Sequence, residues 1–540
     1  MITRLVVIGG YFLVVLAIGF LARTRIKATP ETYFLADRSL GTLVLLGTMA
    51  ATNFSAFTIF GTSGAGYRDG YAFFPIMGFG TGFMALTFWI IGKKAWQIGK
   101  ERSILTPPEL VKSLYGSPFL SVIVSVVMIV FTIPYLALQP MAAGYALEEL
   151  LGLPYFYGCA LVTALMVAYT FRGGLKAVAW TDLFQGFVMV SLLVAAFVLV
   201  SRHHGGFVEA QVKALSSAPE LFSRPGARGT YTIGIWMSYM MLWFFCDPMF
   251  PQLFQRFFSA GSVTALKRTM LWYPTVCTFI FFIPISIGVM GRLSFPDLTG
   301  KTADRILPMV MNAIGGDLMA ALVITAGLAA LMSTMDSQLL TLSSLFTRDI
   351  LPAISRQTVA TSLPGRIFVI ALALAGLALA YKPPATILQI ATQTFTGLAV
   401  LFPTVLFGLY LRKVYASAAI LSIIAGEGLL ILLYSGLLPG GFFLPVVWVM
   451  AATFAVYLLA HVSLCIRDGS IAGLVPGRLS RSYYSLSFLA IFILGTDFWA
   501  WNHAGATTGG IPLWVFYFVA LSAGQTILMS LMTKTAGAED

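Results

Sequence analysis

The chain has 540 residues, 58% of them hydrophobic and only 10% charged, with a mean hydropathy of +0.88. That composition excludes a soluble globular protein and points to a polytopic membrane protein, one integrated bundle rather than several soluble domains. The net charge of +12 is not a nucleic-acid signal, because the basic residues fall in short loops between apolar stretches, where they set orientation.

No regular period-two alternation runs through the chain, which argues against an outer-membrane barrel. The pattern predicts an all-α bundle of about fifteen spans. The first, over about residues 2–22, lacks a small-residue cleavage site and reads as a retained helix. Arg23, Arg25, Lys27 and Arg38 follow it, which places that loop in the cytoplasm and the N-terminus outside. Lys93, Lys94, Lys100, Arg102 and Lys112 mark the next inner loop, and Arg172 with Lys176 the one after. Lys267 and Arg268, then Arg348, Arg356 and Arg366, then Arg412 and Lys413, then Arg467, Arg478 and Arg481 mark the later ones. Glu148 and Glu149 lie in an outer loop; Arg224 and Arg228 sit in a longer outer loop, where charge weighs less. An odd number of spans puts the C-terminus, near Lys534, in the cytoplasm. Cys159, Cys246, Cys277 and Cys465 fall in or beside spans and show neither metal spacing nor a disulfide framework.

The second span carries Ala50-Ala51-Thr52-Asn53-Phe54-Ser55-Ala56 in its middle, then Gly61, Gly64 and Gly66. That small, polar patch predicts a helix break. Residues 172–185 follow later: Gly173 and Gly174 allow a tight inner turn, and Asp182 lies near the start of the span that comes next. Asp182 at that place also suits the positive end of a helix dipole. The seventh span carries Asp247-Pro248-Met249-Phe250-Pro251-Gln252, with Arg256 a turn further on. Two prolines there interrupt the hydrogen-bond ladder, so the helix must kink or unwind. Two interrupted spans five apart are the pointer to an inverted-repeat transporter with its site at the breaks.

The ninth span holds the chain's most telling stretch. Within residues 329–344, Ser333, Thr334, Asp336 and Ser337 interrupt a run of leucine, alanine and methionine. Ser333 is three residues from Asp336 and four from Ser337, so the three share one helix face with Thr334 at its edge. A carboxylate at membrane depth normally faces protein, water or an ion, and oxygen ligands on one face suit a hard cation. The hydroxyls alone can also bond back to their own helix and pack against a neighbour. In the eleventh span Thr392, Gln393, Thr394 and Thr396 precede Pro403; they either line a solute cavity or bond between helices. Glu427 and Asp497 lie in peripheral spans and receive no function. His461 and His503 are isolated and late, and no metal pair or nucleophile constellation supports an enzyme.

Residues 172–185, residues 329–340, and Pro251-Gln252 with Gln255-Arg256-Phe257 together resemble the sodium/solute symporter family, that of the proline and pantothenate permeases and the bacterial sugar and sialic acid symporters. The resemblance covers about residues 11–412. It implies a LeuT-type core of two inverted five-helix repeats, with one extra N-terminal helix and several C-terminal helices. The expected division is an extra helix and inner loop over 1–41, the transport core over 42–412 and peripheral helices over 413–540. It further implies a sodium site made by the backbone carbonyls of Ala51, Phe54 and Ala330 and the hydroxyls of Ser333 and Thr334. An unwound helix frees carbonyls, and two adjacent hydroxyls complete an oxygen cage.

Members with a second sodium site resemble this chain at Asp182, Ser333, Asp336 and Ser337, with Asp336 standing where the sialic acid type has a serine. Two carboxylates either grip a cation strongly or compete, so Asp336 is expected to make cation binding depend on pH. Asn53 matches the midplane aspartate of the proline permeases and removes a charge from the cavity. Gln252 stands where the sugar symporters have a tyrosine gate, which disfavours a sugar; Gln393 matches a sugar-contacting glutamine.

The reading is therefore a symporter of the inner or plasma membrane that uses the sodium gradient to import a small carboxylate, an amino acid or a pantothenate-like acid. Asn53, Ser55, Gln139, Gln252 and Gln393 are the expected solute-cavity residues. The partners are sodium, the solute and the bilayer, and the expected state is a monomer. A proton-coupled carrier using Asp182 and Asp336 is the rival in the same class. A membrane sensor built on a symporter core is a rival in another.

Overall fold

A computed structural model of the chain describes residues 2–21, 29–355, 363–383, 385–470, 483–501 and 507–536. Arg23, Arg25, Lys27, Arg356, Arg478, Arg481 and His503, and the side chain of Arg172, lie outside the described residues. Among those described, eleven helices are long and apolar enough to cross a membrane singly. Two more spans are each a pair of helices joined at a break. Thr42–Asn53 meets Phe57–Phe73 at 62°, and Ile233–Met249 meets Pro251–Ser259 at 56°. Tyr155–Ala168 and Tyr484–Thr496 are shorter apolar helices. Together these account for the expected apolar segments in chain order, and the broken ones are the second and the seventh.

Each break has a local cause. In the second span Phe54 leaves helical geometry at φ −83° and ψ 88°, although its N–H still reaches the carbonyl of Ala50 at 2.7 Å. The next half-helix begins with its amides held by side chains. Ser55 Oγ accepts from Phe57 N at 3.1 Å, and Gln139 Oε1, from another span, accepts from Ala56 N at 3.2 Å. These are the amides that a helix start leaves without intrahelical partners. In the seventh span Asp247–Met249 forms a single tight turn, Phe250 is extended at ψ 121°, and Pro251 opens the next helix. Proline is at home there because its missing N–H would have had no partner.

Helices are arranged in two shells. In the spans Ile76–Glu101, Gly316–Ser355 and Ile387–Tyr410, 83% of the most apolar window is buried, against 22% for Ile2–Gly19 and 28% for Leu513–Lys534. The inner shell thus contains both breaks and the hydroxyl-rich ninth span, while the outer spans present leucine and isoleucine to lipid. Phe57–Phe73 packs directly on Val263–Gly291: a Cβ on Gly66 would lie 2.4 Å from the carbonyl oxygen of Ile285, and one on Gly288 2.1 Å from that of Ser63. Small residues let two backbones approach this closely within a membrane. Gly174, at φ +64°, makes the expected turn between Tyr155–Ala168 and Gly174–His203. Asp497, at the end of a peripheral span, is buried in an ion pair with Arg224.

Candidate functional site

The first break brings its backbone against the ninth span. Ser333 Oγ donates to the carbonyl of Ala51 at 2.8 Å and to that of Ala330 in its own helix at 2.9 Å. Thr334 Oγ1 donates to the carbonyl of Thr52 at 2.9 Å and to that of Ala330 at 3.2 Å. All these residues are buried. The expected set Ala51, Ala330, Ser333 and Thr334 is therefore assembled, with Phe54 at the point where the helix ends. The carbonyl of Thr52 joins it. The donor set is neutral oxygen throughout, which suits a hard monovalent cation. Each hydroxyl can turn a lone pair toward an ion, and each carbonyl has a second lone pair to offer.

Beside it the carboxylate of Asp182 is fully buried and paired. Arg256, also fully buried, donates from Nη2 to Asp182 Oδ2 at 2.9 Å and to Ser337 Oγ at 2.7 Å. Its Nε donates to Thr48 Oγ1 at 2.9 Å and its Nη1 to the carbonyl of Gln252 at 2.8 Å. Thr48 and Thr52 donate to the same carboxylate oxygen at 2.5 and 3.3 Å. The candidate second cation set thus already encloses a cation, the guanidinium delivered by the second broken span. Asp336 is buried on the same face and lies within electrostatic reach of Arg256 and of Tyr11. Sequence reasoning singled out Arg256 only as part of a motif. The available signal was a lone arginine inside an apolar span, which must find a carboxylate.

At the breaks lies a narrow pocket of about 10 Å³, room for roughly one water in this arrangement. Asn53, Thr58, Thr81, Trp243 and Asp247 supply its polar groups, and Phe57, Tyr135, Phe250, Phe281 and Phe395 are among its walls. Of the expected solute residues, only Asn53 lines it. Ser55 and Gln139 hold the restarted half-helix instead. Gln252 is buried next to Arg256 but is not part of the cavity wall. Gln393 is a correction: it is exposed, while Phe395, two residues on and so on the opposite side of the helix, faces the cavity. The expected loss of charge at Asn53 is a second correction. Asp247 places a buried carboxylate in the same cavity, with Asn53 Nδ2 at 3.5 Å from Asp247 Oδ2 and 2.7 Å from the hydroxyl of Tyr273. A broader cavity lined by Tyr145, Tyr155, Lys301, Arg305 and Lys382 lies in the loops, away from both breaks.

Ion pairs and backbone bonds tie the segments that flank these sites. At one end Arg228 grips Asp69 through two bonds of 2.8 Å, and Arg68 meets Asp304 at 2.8 Å. Burial pushes the Asp304 carboxyl up against the opposing pull of Arg68. At the other end Leu40, just before the first broken span, bonds to Ser259 and Gly261, at the end of the second, at 3.2 and 2.9 Å. Trp96 Nε1 donates to the carbonyl of Ala260 at 2.6 Å.

Residues 33–426 match the family described as the sodium:solute symporter family. The chain belongs to that family. It is similar to the high-affinity proline transporter of Bacillus subtilis, at 27% identity over 77% of this chain and 89% of the relative. It is also similar to the sodium/pantothenate symporter of Escherichia coli, at 28% over 77% and 87%. Among solved structures, a Na+-coupled sialic acid symporter in a substrate-bound outward-open state superposes with a TM-score of 0.72. That match has 19% identity and covers 88% of this chain and 99% of the other. A nucleobase-cation-symport-1 family transporter in a closed conformation gives 0.52 at 15% identity, over 82% and 96%. These likenesses establish the LeuT-type fold. The chain is a multi-pass plasma-membrane transporter rather than an enzyme, and the family performs sodium-coupled symport of small solutes.

Proposed function

We propose that this symporter couples the inward movement of one sodium ion to import of a small amino acid or other small carboxylate. The sodium would be held by the carbonyls of Ala51, Phe54 and Ala330 and the hydroxyls of Ser333 and Thr334. The observation that carries the reading is the meeting of those two hydroxyls with the freed carbonyls of the first break, at 2.8 and 2.9 Å. The two hydroxyls stand on the ninth span and the carbonyls on the second, so an ion shared between them favours the arrangement that holds the two spans together. Differential binding of that kind is what shifts a carrier between its open states.

Arg256 argues for a single sodium. Its guanidinium already neutralises Asp182 and bonds Ser337, so a second cation among Asp182, Ser333, Asp336 and Ser337 would have to enter beside a fixed positive charge. The same ion pair makes Asp182 a poor carrier of a coupling proton, which weighs against the proton-coupled reading. The alternation of inner basic loops supports an N-terminus outside and a C-terminus in the cytoplasm.

The test is thermal unfolding of the purified protein in sodium and in potassium, with and without candidate solutes. A ligand at about a hundred times its dissociation constant adds roughly 2.7 kcal/mol to the state it binds. Stabilisation by solute only in sodium, with a single-site dependence on sodium, supports the reading. Equal stabilisation in both salts rejects sodium coupling.

A further inference from the structure

The cavity holds a carboxylate that no described basic side chain pairs with. Asp247 is buried at the turn of the second broken span, immediately before Pro248. Its neighbours are neutral: Asn53 Nδ2 at 3.5 Å and Cys246 Sγ at 3.4 Å. Among the described residues no lysine or arginine pairs with it, in contrast to Asp182 with Arg256, Asp304 with Arg68 and Asp69 with Arg228. Asp182, Asp304 and Asp69 are given cations, and Asp349 at least a hydroxyl from Thr106. Asp247, which faces the aromatic pocket, is suited to a cation from outside.

The walls around it are aromatic and in mutual contact. The ring of Phe395 lies 4.7 Å from Phe250, 4.9 Å from Tyr135 and 5.6 Å from Trp243, and Trp243 lies 5.9 Å from Phe57. Ring faces attract a cation, and the attraction grows when water is excluded. A carboxylate set among such rings is the chemistry that receives an ammonium group. The remaining polar atoms of the wall are of another kind. Thr58 Oγ1, Thr81 Oγ1 and Trp243 Nε1 are buried without a hydrogen-bond partner in the protein. Each can donate a hydrogen bond, and buried donors left in this way await an acceptor.

Resting on the symport reading above, we propose that Asp247 binds a protonated or quaternary nitrogen of the transported solute, with the rings of Tyr135, Trp243, Phe250 and Phe395 around it. The solute is then a zwitterion. Its acid end meets the hydroxyls of Thr58 and Thr81 and the indole N–H of Trp243. Nitrogen-free carboxylates and pantothenate-like acids, whose nitrogen is a neutral amide, lack the group that Asp247 requires.

The experiment uses the full-length protein in detergent and in potassium-loaded proteoliposomes placed in external sodium. Four compounds of one shape separate the two ends: proline, its N,N-dimethyl betaine, cyclopentanecarboxylate and pyrrolidine. A small panel of other amino acids is run with their deaminated acids. Binding is read by sodium-dependent thermal shift and by competition for uptake. The expected result is that compounds with both groups bind. The deaminated acids should bind on the order of a hundredfold more weakly or not at all, and the free amine should fall between. Asp247→Asn should abolish solute binding while the shift produced by sodium alone is kept. Trp243→Phe, which keeps a ring and removes the N–H, should weaken the zwitterion more than the amine. Deaminated acids that match their amino counterparts in the wild type overturn the proposal, whether or not Asp247→Asn folds. So does a panel in which no compound with a cationic nitrogen binds. Loss of the shift by sodium alone in the wild type would instead overturn the sodium site, and leaves the solute comparison readable in potassium.

Discussion

The two broken spans do the same thing to the backbone by different means, and they bring different chemistry to the midplane. The second span breaks without proline. Its loose ends are tied by neutral groups, Ser55 Oγ and Gln139 Oε1, and it offers neutral dipoles, the carbonyls of Ala51 and Thr52. The seventh span is broken by Pro248 and Pro251, and it brings charges: Asp247 on one side of the turn and Arg256 on the other. A proline break needs no side chain to hold it open, so side chains there are free for electrostatics. A proline-free break has to be held, and its side chains are used in holding it. Thr52 joins the two chemistries. Its carbonyl accepts from Thr334, while its hydroxyl reaches Asp182 and lies 3.2 Å from Ser337.

The largest effect is expected where the charged break meets its buried partner. Arg256→Met leaves Asp182 in the bundle without a cation, and removing one member of a buried pair typically costs about 3–5 kcal/mol. The melting temperature of the variant should fall accordingly. Asp182→Asn together with Arg256→Met should recover most of the loss, because no uncompensated charge remains. If the single variant melts like the wild type, the guanidinium does not sit on Asp182.

The neutral break is expected to be softer. Gln139→Leu removes the acceptor of the Ala56 amide, and a buried donor left unsatisfied costs about 1–3 kcal/mol. The loss should appear in thermal unfolding, and faster hydrogen exchange at the start of Phe57–Phe73 should accompany it. Unchanged exchange there would mean that the half-helix is held by packing alone. Smaller again is the effect of the cage hydroxyls. Thr334→Ala should raise the sodium concentration for half-maximal stabilisation by about tenfold, a loss of about 1.4 kcal/mol of ion binding. Arg256→Lys, which keeps the positive charge, should leave the sodium dependence single-site.

Much of this was legible in the residues. Prolines at 248 and 251 announce a break because ring closure removes an amide donor. Spacing puts Ser333, Asp336 and Ser337 on one helix face with Thr334 at its edge. The break at the prolines is seen, and Ser333 and Thr334 bond to the carbonyls of Ala51 and Thr52. Asn53 reads as a lost charge along one span, and only the three-dimensional meeting of two spans shows Asp247 filling the same cavity. Arg256 reads as part of a motif, and its partner is 74 positions away in the chain. Charge balance inside a bundle is a property of pairs of spans, whereas helical periodicity describes one span at a time. Gln139 shows the same limit from another side: it reads as a cavity group, and it serves as a cap for a helix in another part of the chain.

Gln393 sharpens the comparison by standing outside it. It shares its helix, Ile387–Ala399, with Phe395, and a resemblance by position made it a solute contact. On an α-helix two residues apart means about 200° of rotation, so both cannot face one cavity. The structure gives the cavity to Phe395, and Gln393 is exposed. Gln393→Ala should therefore change stability by no more than about 0.5 kcal/mol, as expected of an exposed position without structural duties, and leave solute competition at wild-type values. Phe395→Ala removes a ring in contact with Tyr135, Trp243 and Phe250. It should cost about 3–5 kcal/mol if the space stays open, and it should weaken binding of a cationic solute. If the two variants exchange these behaviours, the helix is rotated by half a turn from the arrangement described. Asp247 would then face a different wall, and the assignment of charge to the second break would fall with it.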